Sequence, residues 1–443
     1  MLKVSENQRF LTHEDGTPFF YLADTAWELF HRLNYGEADM YLRDRASKGF
    51  TVIQAVVLAE LNGILGPNAQ GDLPLHEQDP TLPDEAYFTH VDAIVAIAAS
   101  LGLTIAMLPT WGDKWQEISG GIGPVIFTPE NACSFGKFLG QRYATAPIIW
   151  VLGGDRLVEN DLQREILRAM ARGLEEGDGG RHLMTFHPPG GHTSQQFFPD
   201  EPWLDFHMWQ SGHARNRDNY HCIAQDYAAT PIKPCVDGEP GYEDHPSSFD
   251  LNNGYLDDYD TRKFAYWALF AGAHGHTYGC HPVWQFWQMG SRSYNFVRRP
   301  WYEAIHLPGA GQLQYLRSLL ESRPFLTRIP DQSLIVSENY EGAYHVQATR
   351  DECGSYALIY FGGNKPVTID LRKLSGTTLN AYWYDPRTGN ADFVGQISND
   401  GPREFTVPSF EGAPTCGPDW VLVLDDASVK YPRPGSCRYQ ETE

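Results

Sequence analysis

The sequence predicts a (β/α)8 TIM barrel followed by a small antiparallel β-sandwich, and three observations carry that expectation. Short apolar runs alternate with helical patterns eight times between residue 18 and about residue 322. No glycine-rich phosphate loop follows the first of these runs. After Arg323-Pro324 the helical periodicity stops, and β-rich runs separated by turn clusters take over. Eight strand–helix repeats are the pattern of a closed barrel. A doubly wound open sheet is the alternative, but it needs GxGxxG or a Walker sequence after its first strand, where this chain has ADTAWELF.

The eight runs are PFFYLAD (18–24), TVIQAVVL (51–58), TIAMLPT (104–110), PIIWVLGG (147–154), LMTFHP (183–188), LDFHMW (204–209), IKPCVDGE (232–239) and GAHGHTYG (272–279). Runs such as Ile148 to Leu152 leave no room for a solvated face and read as strands buried on both sides. Between them, Val91, Ile94, Val95 and Ala98 recur at i, i+3, i+4, i+7, the spacing of one helical face. PEN (129–131) reads as a helix start, with Pro129 in the first turn and Glu130 favourable to the dipole. TRKFAYWALFAG (261–272) places Phe264, Trp267, Ala268 and Ala271 on one face. Residues 301–322 supply the last helical region, broken near Pro308-Gly309. Beyond it, SYALIYF (355–361), TLNAYWYD (378–385) and WVLVLDD (420–426) alternate with turns such as YDPRTGN (384–390). The expected domains are 1–325, the barrel, and 330–443, the sandwich.

A length of 443 residues fits two domains. A net charge of −22 argues against nucleic acid and anionic membranes as partners. Aromatic residues make up 13% of the chain, and such rings stack on sugars as well as filling cores. The seven cysteines (133, 222, 235, 280, 353, 416, 437) are odd in number and form no CxxC pair, which argues against a zinc ribbon or a disulfide scaffold. No apolar span reaches 18 residues, and MLKVSENQRFL lacks the apolar core of a signal peptide. The expectation is a cytoplasmic chain or one whose leader has been removed. Oligomeric state is left open.

In a (β/α)8 barrel, chemistry sits at the carboxyl ends of the strands. PIIWVLGGDR (147–156) therefore places Asp155 at the mouth, just past the fourth strand, with Gly153-Gly154 allowing a sharp turn before it. Taken alone, Asp155 could equally pair with Arg156 or cap the next helix. The seventh strand ends the same way: in PCVDGEPGYED (234–244), Glu239 follows Gly238. Two carboxylates leaving the fourth and seventh strands face each other across the mouth, as glycoside hydrolysis requires. Asp237 and Glu243, flanking Glu239, read as structural acids.

The other strand ends bring Asp24 and Trp27, then Trp111, Asp113 and Trp115, then His187, then His207 and Trp209, and last His274, His276, Tyr278 and Trp284. Aromatic faces stack on sugar C–H surfaces while His and Asp read hydroxyls, so these are the candidate substrate-binding residues. The His274-Gly-His276 pair raises a metal hydrolase as an alternative, but barrel amidohydrolases carry HxH on the first strand. No metal and no cofactor are expected.

The stretches RFLTHEDGTPFFYLADTAWELF, YLRDRASKGFTVIQ, WVLGGD, DGEPGYE and AYWYDPRTG resemble the apiosidase-like barrel proteins, glycoside hydrolase family 140 and its relatives. These end in a β domain labelled collagen-binding. The resemblance spans nearly the whole chain. It implies a glycosidase acting on plant cell-wall pectin, with a catalytic Asp after strand four and a catalytic Glu after strand seven, here Asp155 and Glu239. It also implies apiose-linked side chains of rhamnogalacturonan-II as the substrate. Nothing in residues 330–443 beyond β pattern supports collagen binding. The mechanism expected is retaining, with Asp155 as acid/base and Glu239 as nucleophile. A carbohydrate-binding protein on a degenerate barrel is the rival from another class.

Overall fold

The computed structural model describes residues 1–117, 122–408 and 418–439. Barrel strands one to eight are Tyr21–Thr25, Val52–Leu58, Thr104–Thr110, Ile148–Gly153, Met184–His187, His207–Gln210, Cys235–Asp237 and Gly275–Tyr278. They hydrogen-bond in parallel in the order five-four-three-two-one-eight-seven-six. At the seam between five and six, Asp205 N–H donates to the Met184 carbonyl (2.8 Å), Met184 N–H to Asp205 Oδ2 (2.7 Å) and Thr185 Oγ1 to the Phe206 carbonyl (2.6 Å). A short strand, His192–Thr193, adds antiparallel to strand six.

Alternation along each strand divides the apolar side chains into two cores. Val52, Val56, Leu108, Val151 and Met208 fill the barrel interior, whereas Ile53, Ile105, Trp150 and Leu152 face the helix layer. The helices start where the sequence carries capping chemistry. Asn34 with Glu37, Thr128 with Asn131, and Asp257 with Asp260 form reciprocal capping boxes for Tyr35–Ser47, Pro129–Tyr143 and Asp258–Phe270. The expected break near Pro308 falls between Trp301–Ala304 and Pro308–Glu321, and Pro308 opens the second helix.

Helix Asp258–Phe270 is buried on all sides from Asp260 onward, not on one face as its periodicity implied. The reason is the second β region, which covers its outer surface. That region is a six-stranded antiparallel sheet (Arg328–Pro330, Val346–Asp351, Tyr356–Phe361, Trp420–Asp426, Thr378–Tyr384, Ala391–Ser398, in that spatial order) with a two-stranded sheet, Val367–Asp370 and Pro402–Phe405. Tyr360 stacks on Tyr266 of the helix with ring centroids 4.8 Å apart. Cys416 lies outside the described residues.

Candidate active site

The turn after strand four is built by three successive residues with left-handed backbone: Gly153 (φ +98°), Gly154 (φ +102°) and Asp155 (φ +61°). A Cβ on Gly154 would lie 2.6 Å from the Gly112 nitrogen, so glycine is demanded by close approach as well as by φ. Holding Asp155 there costs about 1–3 kcal/mol, a strain that functional turns retain. Its carboxylate meets Arg156 Nη1 at 2.9 Å, and its side chain remains 34% exposed. Partial burial, and then the charge of Glu239, raise the Asp155 pKa from its ordinary value, while Arg156 and His187 oppose the shift.

After strand seven, the Gly238 carbonyl accepts from Gln54 Nε2 (3.0 Å), and a Cβ at Gly238 would meet Met208 of the barrel interior at 2.5 Å. Glu239 follows, buried, with Oε2 3.0 Å from His187 Nε2 and Oε1 3.2 Å from His213 Nε2. His213 Nδ1 lies 3.2 Å from the Pro240 carbonyl, which only accepts, so Nδ1 carries a hydrogen. Burial alone would raise the Glu239 pKa. His187 and His213 outweigh it and hold the carboxyl well below its ordinary value. One carboxyl is tuned up and the other down, within a single cavity of about 350 Å³.

Trp27 and Trp111, from the ends of strands one and three, and Trp284, from the segment after strand eight, line that cavity. His187 stands behind it, between Glu239 and the rings of Trp27 and Trp111, whose centroids lie 5.2 and 5.9 Å from its own.

The remaining expected contacts are placed elsewhere. Asp24 is buried against Arg45 Nε (2.5 Å) and the Tyr41 hydroxyl (2.6 Å), on the helix side of strand one. Asp113 pairs with Lys114 at 2.7 Å and accepts from the Gly123 N–H. Trp115 donates from Nε1 to the Gly153 carbonyl (3.1 Å), bracing the turn from behind. His207 and Trp209 alternate with Met208, which fills the interior, and so turn to the helix layer. His276, level with Leu22 and Asp237, turns the same way. Tyr278, level with Asp24, donates its hydroxyl to Glu243 at 2.5 Å. His274 packs edge-on against Tyr21 and Phe206 and, like His276, is held neutral by burial, each pKa pushed down to about 3. Asp237 accepts from Ser211 Oγ (2.6 Å) and Asn219 Nδ2 (3.0 Å). Among the described residues, no group of three or more His, Cys, Asp or Glu is arranged to hold a metal ion.

Sequence reasoning missed Gln210, His213, Tyr242 and Phe249, all of which line the cavity. Gln210 was recoverable, since it is the interior-facing residue at the very end of strand six. It also missed Glu60, a third carboxyl in the wall. Burial first, and then Asp155, push the Glu60 pKa up to about 8. Arg156 lies between the two acids, 3.4 Å from Glu60 Oε1.

Residues 5–327 match the family model "Apiosidase-like, catalytic domain", and residues 329–425 match "Putative collagen-binding domain of a collagenase". A solved structure titled "Glycoside hydrolase" is 36% identical, with a TM-score of 0.87, covering 96% of this chain and 97% of that one. A glycoside hydrolase family 5 protein from Bacteroides vulgatus is 34% identical, with a TM-score of 0.89 over 99% and 96% of the two chains. A second B. vulgatus structure at 16% identity, covering 96% of this chain and 82% of that one with a TM-score of 0.69, shares the fold. Among curated protein sequences, none matches. Two carboxyls of opposite tuning at the mouth of a sugar-sized, tryptophan-lined cavity thus sit in a chain that belongs to the apiosidase-like family, and it is a glycoside hydrolase.

Proposed function

We propose that the enzyme cleaves a glycosidic bond in pectic oligo- or polysaccharide with retention of configuration, Asp155 acting as acid/base and Glu239 as nucleophile. The observation that carries this reading is the placement of both carboxyls in one cavity, with Glu239 3.0 and 3.2 Å from two imidazoles and Asp155 on the facing turn; the opposed directions of their pKa shifts support it. An acid catalyst must hold its proton at working pH, and Asp155 is pushed in that direction. A nucleophile must be ionised, and Glu239 is held so by two histidines. In the first step Asp155 protonates the leaving oxygen while Glu239 attacks the anomeric carbon, giving a glycosyl-enzyme ester. In the second, Asp155, now ionised, takes a proton from water as the water displaces Glu239, restoring both groups. The family description, apiosidase-like, supports an apiose-bearing substrate.

The test is hydrolysis of rhamnogalacturonan-II oligosaccharides with the anomeric configuration of the first product read by NMR. Retention is expected, and an inverted product excludes the covalent route. Asp155→Asn and Glu239→Gln should each lower kcat by about 10²–10⁴; turnover near wild type in either variant removes its residue from the mechanism.

A further inference from the structure

We propose that Phe249 and Phe296 form an aromatic platform on the cavity rim that stacks a second sugar unit, adding a binding subsite beyond the cleaved residue. Phe249 lines the cavity, yet it is 53% exposed, and its backbone sits at φ +61° beside Ser248 at φ +57°. Phe296 is 55% exposed at φ +63°, directly after Asn295, a cavity-lining residue at φ +54°. Left-handed backbone is an outlier for a bulky aromatic residue. A half-exposed apolar ring on strained backbone gains little in the free enzyme, so the strain points to function.

Both loops are pinned so that the rings stay where they are. Ser248 N–H donates to the His213 carbonyl and Phe249 N–H to the Pro246 carbonyl, both at 2.9 Å. The rings of His245 and His213 meet Phe249 edge-on at 4.7 and 5.5 Å. Across the rim, Tyr255 donates its hydroxyl to the Phe296 carbonyl (3.0 Å), and Asp244 is bonded by Arg298 and by Arg299 (3.1 Å). One network therefore ties the two loops together. A preorganised aromatic surface continuous with a sugar cavity fits the C–H face of the neighbouring sugar in the same chain.

The inference rests on the reading of pectin as the substrate, and its test separates the two. Pectic di- and hexasaccharides are titrated calorimetrically into the full-length Glu239→Gln enzyme, with and without Phe249→Ala and Phe296→Ala. The affinity advantage of the hexasaccharide over the disaccharide should fall about tenfold in the double variant. An advantage kept within twofold overturns the platform, as does failure to bind any of the oligosaccharides. Thermal unfolding gives a second readout: Phe249→Gly relieves the strain and should leave Tm equal or higher. A fall of 5 °C or more makes the ring part of the fold and overturns its assignment as a platform. Binding that depends on Phe249 in an enzyme whose wild type cleaves none of the oligosaccharides leaves the platform standing and removes the reading of pectin as the substrate.

Discussion

At the scale of single residues, Glu239 is an ionised carboxylate because two imidazoles converge on it from different strand ends. His187 closes strand five, and His213 lies three residues past strand six. The sign of the consequence follows directly. If Glu239 is the nucleophile, as proposed, its depressed pKa keeps it active until the pH falls through that pKa, so the acidic limb of kcat/KM should lie below the ordinary carboxylate range. Removing one imidazole lets burial reassert itself. His213→Gln should move the acidic limb upward by about one pH unit, roughly 1.4 kcal/mol of lost carboxylate stabilisation. A limb that stays in place would mean that His187 alone holds Glu239 ionised. On the proposed mechanism the alkaline limb belongs to Asp155, whose pKa is raised.

At the scale of elements, Glu243 couples strand eight to the helix that follows it. It accepts from the Tyr278 hydroxyl and from the Gly309 N–H at the start of Pro308–Glu321. Burial pushes its pKa up to about 7 against the pull of those two bonds. A carboxyl whose folded pKa is raised binds a proton that the unfolded chain has already lost, so stability falls as pH rises toward the folded value. Asp226, raised to about 7 by burial, and Glu60 act in the same direction. The buried histidines His207, His245, His274, His276 and His281, all lowered to about 4 or below by burial, act oppositely, an effect that fades above about pH 7 as their unfolded counterparts lose their protons. The cleaner window is therefore about pH 7–8, where Tm should decline. Glu243→Gln should reduce that slope, by up to about 1.4 kcal/mol per pH unit in the unfolding free energy. Chemical denaturation at three pH values across the window checks it; an unchanged slope assigns the decline to the other acids.

At the scale of the whole molecule, the C-terminal sheet is bolted to the barrel. Arg262 of helix Asp258–Phe270 makes a two-pronged pair with Asp419 at 3.0 and 2.9 Å, and Arg323 does the same with Asp425 at 3.0 and 2.6 Å. All four side chains are almost fully buried. Tyr220 stacks flat on His345 at 3.7 Å, and Tyr356 and Tyr384 donate to the carbonyls of Pro324 and Tyr315. Removing one member of a buried pair strands the other charge, at a cost of about 3–5 kcal/mol. Arg262→Ala should lower stability by that amount, read by denaturant unfolding as one cooperative transition. A loss below 1 kcal/mol would mean that the pair is solvated and the sheet only loosely attached. The covering of the helix by this sheet also explains why residues 261–272 read as one-sided in sequence yet are buried on both faces.

The sequence by itself determined the eight strands, their order as a barrel, the change to antiparallel sheet after residue 322, and the two carboxyls at the ends of strands four and seven. These rest on local pattern: apolar runs, caps, and glycines ahead of an acid, each readable within a dozen residues. Only the tertiary structure decided which polar side chains enter the cavity. A strand end offers two faces one residue apart, so His207, Trp209, His276 and Tyr278 went to the helix layer while Gln210 went to the site. Glu60, His213 and Phe249 stand on loops with no period to read, and they reach the cavity because distant strand ends are brought together by closure of the barrel.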